Sequence, residues 1–133
     1  MVSPVLVLDQ PVPRTGRPTT TARGVAHEFL RHAAQLRAPA GPEYAEAVLM
    51  VVTELVANAI RHTDGSAVLR LELHDDHIEI RVTDTSPEAA QPRLPRTDGS
   101  GGYGWHLIDR LTTHTHIERT SDGGKTICAH APW

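Results

Sequence analysis

Apolar residues along the chain change period several times, and each change marks an element. A short apolar run from Val5 to Leu8 predicts an edge strand. A Pro- and Thr-rich lead from Pro11 to Thr21 follows and ends in threonines suited to cap a helix. Val25, Ala26, Phe29, Leu30, Ala33 and Leu36 then recur at three- and four-residue spacing, which predicts a helix over about 20–36; Pro39-Ala40-Gly41-Pro42 breaks it. A second helix over about 42–62 places Val48, Val51, Val52, Leu55, Val56, Ala59 and Ile60 on one stripe and stops at Thr63-Asp64-Gly65. From Ser66 the period falls to two. Val68, Leu69, Leu71 and Leu73 form one strand, Asp75-Asp76 a turn, and Ile78, Ile80 and Val82 the next strand. Residues 85–104 carry no apolar periodicity and suggest a lid or binding loop. A short helix from Gly104 to Leu111 and a hairpin of Thr115–Thr120 and Thr126–Ala131, turning at Ser121-Asp122-Gly123-Gly124, complete the pattern. There is no internal repeat. The sum is an α+β fold, a layer of helices on one face of a largely antiparallel sheet.

At 133 residues the chain is most simply one domain, here 19–133, preceded by a lead of residues 1–18. The net charge of -3 and the lack of any basic run argue against a nucleic-acid partner. Cys128 is the only cysteine, which excludes an internal disulfide and a cysteine-cluster zinc site and points to a reducing compartment. The run Val5 to Leu8 is too brief for a signal-peptide core or a membrane span, so a cytoplasmic location without membrane contact is expected.

The candidate chemistry starts in the second helix. Glu54 and Asn58 are four residues apart and share one face, offering a carboxylate that can take a proton and an amide oxygen suited to magnesium. The same spacing describes the solvated side of any amphipathic helix. Gly99-Ser100-Gly101-Gly102-Tyr103-Gly104 contains G-x-G-x-x-G, but no strand precedes it and no βαβ unit surrounds it. Its physical content is glycines leading into a helix N-terminus, a site for phosphate or simply a flexible loop with a cap. Asp84 closes the second strand where the alternation stops, so its carboxylate is expected at a sheet edge facing the lid rather than deep in the core, where it can accept from an adenine amine or serve as a turn residue.

Glu-Leu-Val-Ala-Asn-Ala on a helix, Asp84 after a strand, Gly102-Tyr103-Gly104 opening another helix and Gly124-Lys125-Thr126 entering the last strand occur in one order. In that order they resemble the GHKL ATP-binding fold, and within it the anti-sigma factor serine kinases. The resemblance runs from about Thr20 to the C-terminus. It implies a Bergerat-type two-layer α/β sandwich with helices on one face of a mostly antiparallel mixed sheet. It implies ATP and Mg²⁺ as cofactors, with Asn58 ligating magnesium, Asp84 reading the adenine amine, Gly102 and Gly104 against the phosphates, and Thr126 completing the adenine pocket. Glu54 matches the position proposed as general base for phosphoryl transfer to a protein hydroxyl. The implied partners are a sigma factor and an anti-anti-sigma antagonist phosphorylated on serine or threonine, and a homodimer fits both the family and the Val5–Leu8 edge. Two departures stand out: Asp84-Thr85-Ser86-Pro87 replaces D-x-G-x-G, and Trp105 stands where a smaller apolar residue is common.

The Ser86-Pro87 variant motivates an alternative, a non-catalytic or degenerate module acting by protein contact alone. A detached histidine-kinase catalytic domain is a third reading, disfavoured because no long dimerisation helix with a phospho-acceptor histidine precedes the domain. Arg61 and His62 suit either phosphates or the helix C-terminal dipole. Arg23 suits a partner surface or solvent. His114 and His116 point to one face of a strand at metal-ligand spacing, with no third ligand in evidence.

Overall fold

A computed structural model describes residues 3–61, 67–84 and 103–133. The elements run β1 (Leu6–Val12), α1 (Pro18–Leu36), α2 (Pro42–Arg61), β2 (Ala67–Leu73), β3 (His77–Asp84), α3 (Tyr103–Leu111), β4 (His114–Arg119) and β5 (Lys125–Pro132). The strands form one open sheet in the order β1-β2-β3-β5-β4, with every pairing antiparallel. The three helices cover one face, giving the expected two-layer α+β sandwich, although the sheet is purely antiparallel rather than mixed.

The period-two alternation fixes which side chains meet the helices. Leu69, Leu71 and Leu73 of β2, Ile78, Ile80 and Val82 of β3, and Ile127, Ala129 and Ala131 of β5 enter the core. They meet Ala22, Ala26, Phe29, Leu30 and Ala33 of α1, and Val48, Val51, Val52, Leu55, Val56 and Ala59 of α2. α1 packs on β1, β2 and α2, while α2 packs on β3, β5 and α3. At about 25 cal/mol per Å² of apolar surface, this stripe-on-sheet burial is the main source of stability.

Three boundaries differ from the sequence reading for identifiable reasons. β1 extends to Val12 and includes Pro11, which an edge strand tolerates because its missing N–H costs no ladder bond on the open side. α1 begins at Pro18 in the first turn, and its N-cap Arg17 makes no side-chain cap bond, so the threonines lie inside the helix instead of capping it. α3 begins at Tyr103, within the expected lid. The helix stop at Thr63-Asp64-Gly65 and the remaining lid residues, 85–102, lie outside the described residues.

The β4–β5 turn closes with the Thr120 amide donating to the Gly124 carbonyl at 3.1 Å, and Gly123 takes φ +92°, a conformation that favours glycine. At the β2–β3 turn three segments meet. Trp133 donates its amide to the Asp76 carbonyl at 3.2 Å and its indole Nε1 to the Arg37 carbonyl at 2.8 Å. Arg37, just past α1, donates to the His74 carbonyl and reaches Asp75 Oδ1 at 3.1 Å. The end of β5 and the end of α1 thereby clasp the hairpin.

Candidate functional site

Antiparallel order places Asp84, Lys125 and Thr126 at one pole of the sandwich, opposite the clasp. β3 ends at Asp84 where β5 begins at Lys125, and these two residues face each other in register. The short connection from α2 to β2 brings the C-terminal half of α2 toward the same pole. α2 packs on β3 and β5 through its apolar stripe, and α3 packs on α2. Glu54 and Asn58 flank that stripe and are half-buried. One turn before Asn58, Thr53 donates its hydroxyl to the Leu49 carbonyl at 2.8 Å, which spends its polar group on the helix itself.

Asp84 continues the parity of Ile78, Ile80 and Val82 and therefore points to the helix side of the sheet. Its side chain is 1% exposed, so the carboxylate is buried instead of standing at an open edge as the end of the alternation predicted, because it keeps the inward parity of the strand. Lys125 continues the parity of Ile127, Ala129 and Ala131, faces the same side, and donates from Nζ to Asp84 Oδ1 at 3.1 Å. With 2% of its side chain exposed, it ranks among the largest fully buried side chains of the chain. Lysine and aspartate are seldom buried unless paired, and here the burial and the pairing coincide.

Thr126 has the opposite parity. It lies on the outer face of the sheet across from Thr83, with the two hydroxyl oxygens 2.7 Å apart. The structure thus brings Asp84 together with Lys125 and sets the Thr126 hydroxyl on the other side of β5. The signal for Lys125 was present in the sequence: counting back by twos from Ala131 reaches it directly. Gly102 lies outside the described residues, and Gly104 falls in the first turn of α3. Ile108 anchors α3 in the core, and Trp105 packs against the core edge, so the indole is accommodated where a smaller residue was expected.

Among these side chains Asn58 carries a neutral amide oxygen, Glu54 a carboxylate one turn earlier on the same helix face, and Asp84 a buried carboxylate paired with Lys125. No helix among the described residues is long and apolar enough to cross a membrane.

A family model described as a histidine kinase-like ATPase domain matches residues 14–130. A chain in the crystal structure of the SiaB–SiaC complex from Pseudomonas aeruginosa superposes on this one with a TM-score of 0.57 at 16% identity. The match covers 98% of this chain and 91% of that one. At that identity the likeness speaks for the fold. No curated protein matches the sequence.

Proposed function

Because this chain belongs to the histidine kinase-like ATPase family, we propose that it is an ATP- and Mg²⁺-binding regulator that acts on protein partners. The observation that carries the proposal is the half-buried pair Glu54 and Asn58 on the helix that packs on the strand ending in Asp84. In this reading Asn58 holds the metal through its amide oxygen and Asp84 accepts from the adenine amine. Gly102 and Gly104 allow the backbone ahead of α3 to approach the phosphates. Magnesium, when bound, would neutralise phosphate charge. Glu54 would accept the proton of an incoming serine or threonine hydroxyl. Thr126, the residue the resemblance assigns to the adenine pocket, neighbours Lys125 on β5 and carries its hydroxyl beside that of Thr83, while Lys125 shares a face with Asp84. A protein partner is supported by the relative of like fold, which was crystallised as a two-protein complex. We assign the partners as a sigma factor and a phosphorylatable anti-anti-sigma antagonist, in a cytoplasmic setting.

Calorimetric titration with ATP, with and without magnesium, tests the site. Magnesium-dependent binding in the native chain that disappears in Asn58→Ala supports it; absence of binding to the native chain overturns it. A second reading, a protein-contact module without catalysis, is favoured by one observation: Asp84 is already engaged by a buried lysine. Glu54→Ala separates the two. If the variant still binds nucleotide but no longer phosphorylates the antagonist, the kinase reading holds. If partner regulation is unchanged and the native chain forms no phosphoprotein, the module reading replaces it.

A further inference from the structure

The outer face of the sheet, away from the helices, carries a cluster of chemistry that nucleotide binding leaves unused. Glu72 of β2 and Glu79 of β3 stand directly opposite each other in register. Like charges in that position repel, and both residues are less than a tenth exposed, so solvent screens them little. His74, just past β2, points its Nε2 between them, 2.8 Å from Glu72 Oε1 and 3.5 Å from Glu79 Oε2. One oxygen from each carboxylate and the imidazole nitrogen all lie within 4.8 Å of one another.

The remaining oxygens are held elsewhere. Arg70 Nε donates to Glu72 Oε2 at 2.6 Å, and Arg81 Nε donates to Glu79 Oε1 at 3.1 Å. Each arginine thus anchors the outer side of a carboxylate and turns its other oxygen toward His74, the arrangement by which outer partners orient metal ligands. The His74 ring is fixed in turn by stacking on His77 at 4.8 Å, and His77 stacks on His130 at 4.3 Å.

Among the described residues, ion pairs on this face join four carboxylates, Asp9, Glu72, Glu79 and Glu118, to two guanidiniums, Arg70 and Arg81, an excess of acceptors that suits a cation. Zinc binds nitrogen at about 2.0–2.1 Å and carboxylate oxygen at about 2.0–2.2 Å, so neighbouring ligands around it sit about 3.3 Å apart. The gaps of 2.8 and 3.5 Å bracket that spacing.

We propose that Glu72, His74 and Glu79 form a binding site for a divalent transition-metal ion of the zinc class. Three protein ligands leave the fourth position to water. A second group on the same face, His116, Glu118 and Cys128, is less suited: burial pushes the Cys128 thiol up to about 11, and Glu118 is exposed.

The test is titration of the chelator-stripped full chain with Zn²⁺ by calorimetry and with Co²⁺ by visible spectroscopy. The expected result is one ion per chain, with Co²⁺ spectra lacking a sulfur charge-transfer band. Glu79→Gln, Glu72→Gln and His74→Ala should each weaken binding by more than about 100-fold, beyond the 10–100-fold loss typical of a residue that only orients a ligand. His116→Ala should leave binding unchanged. Circular dichroism identifies any variant that fails to fold, and three independent substitutions keep the test decisive. No Zn²⁺ binding by the native chain overturns the proposal. So does binding that survives His74→Ala but is lost in Cys128→Ser; the first result would leave His74 as a hydrogen-bonded bridge between the two carboxylates.

Discussion

Replacing Lys125 with methionine isolates what the buried pair at the end of β3 and β5 contributes. At the Nζ to Oδ1 separation of 3.1 Å, an effective dielectric of ~20 gives an attraction of about 5 kcal/mol. Withdrawing two ions from water costs several kcal/mol each, so the net value of the intact pair is near zero. The asymmetry lies in breaking it. Lys125→Met keeps the aliphatic volume but removes the ammonium 3.1 Å from the buried Asp84 carboxylate, and should destabilise the fold by up to about 3–5 kcal/mol. Against a total of about 5–15 kcal/mol for a domain, that is a large fraction. The double variant Asp84→Leu with Lys125→Met removes both charges and should recover to within about 1–2 kcal/mol of the native chain. Urea unfolding with linear extrapolation measures all four members of the cycle. A single variant costing less than about 1 kcal/mol, or a double variant as unstable as the two singles added, would refute the reasoning.

Thr126→Val should cost about 0.5–1.5 kcal/mol through loss of the Thr83 bond and change ATP affinity less than about threefold, because its hydroxyl faces outward; a tenfold loss in calorimetry would show that the hydroxyl reaches the nucleotide. Burial, and then the neighbouring His77, push the His130 imidazole below its ordinary 6.5. The unfolded chain therefore binds more protons between that value and the folded one, and stability should be flat above pH 6.5 and fall as pH drops through this window. Thermal unfolding across pH should show the fall, and His130→Asn should reduce it; an unchanged profile would contradict the assignment. Trp133→Phe should cost about 0.5–1.5 kcal/mol by removing the indole donor to Arg37, measured by urea unfolding, and no loss would mean that the clasp is held by backbone bonds alone.

Elements with a strong period were readable before any coordinates. α2 and both hairpins match the apolar spacing closely, since a half-buried sheet and a stripe-bearing helix each impose one repeat. Boundaries set by single residues were harder. Pro11 reads as a breaker but is accepted at a sheet edge, and the choice between Pro18 and a threonine for starting α1 depends on tertiary contacts that carry no local signal. Within the candidate site, helical spacing singled out the shared face of Glu54 and Asn58 and the end of an alternation singled out Asp84, while their proposed roles came from the resemblance. Resemblance drew attention to Thr126 because a threonine there fits a motif, whereas strand parity, a purely geometric count, singles out Lys125. The Glu72, His74 and Glu79 group escaped a linear reading because it needs the β2–β3 register and the position of His74 past the strand.

The sheet order also governs how the chain reaches its fold. β2 and β3 meet across a three-residue turn, 74–76, but β1 finds its partner only after α1 and α2 have been laid down between Leu6 and Leu73. Closing that loop is about four doublings longer, at about 0.6 kcal/mol of chain entropy for each. Only one of its edges is paired, so β1 has half the ladder bonds of an interior strand to offset the cost. It should therefore be the last strand to join and the first to leave, with amide protons that exchange sooner than those of β2 and β3. Whatever binds along that margin would meet a strand in equilibrium with its own departure, and would set how often the sheet has five strands and how often four.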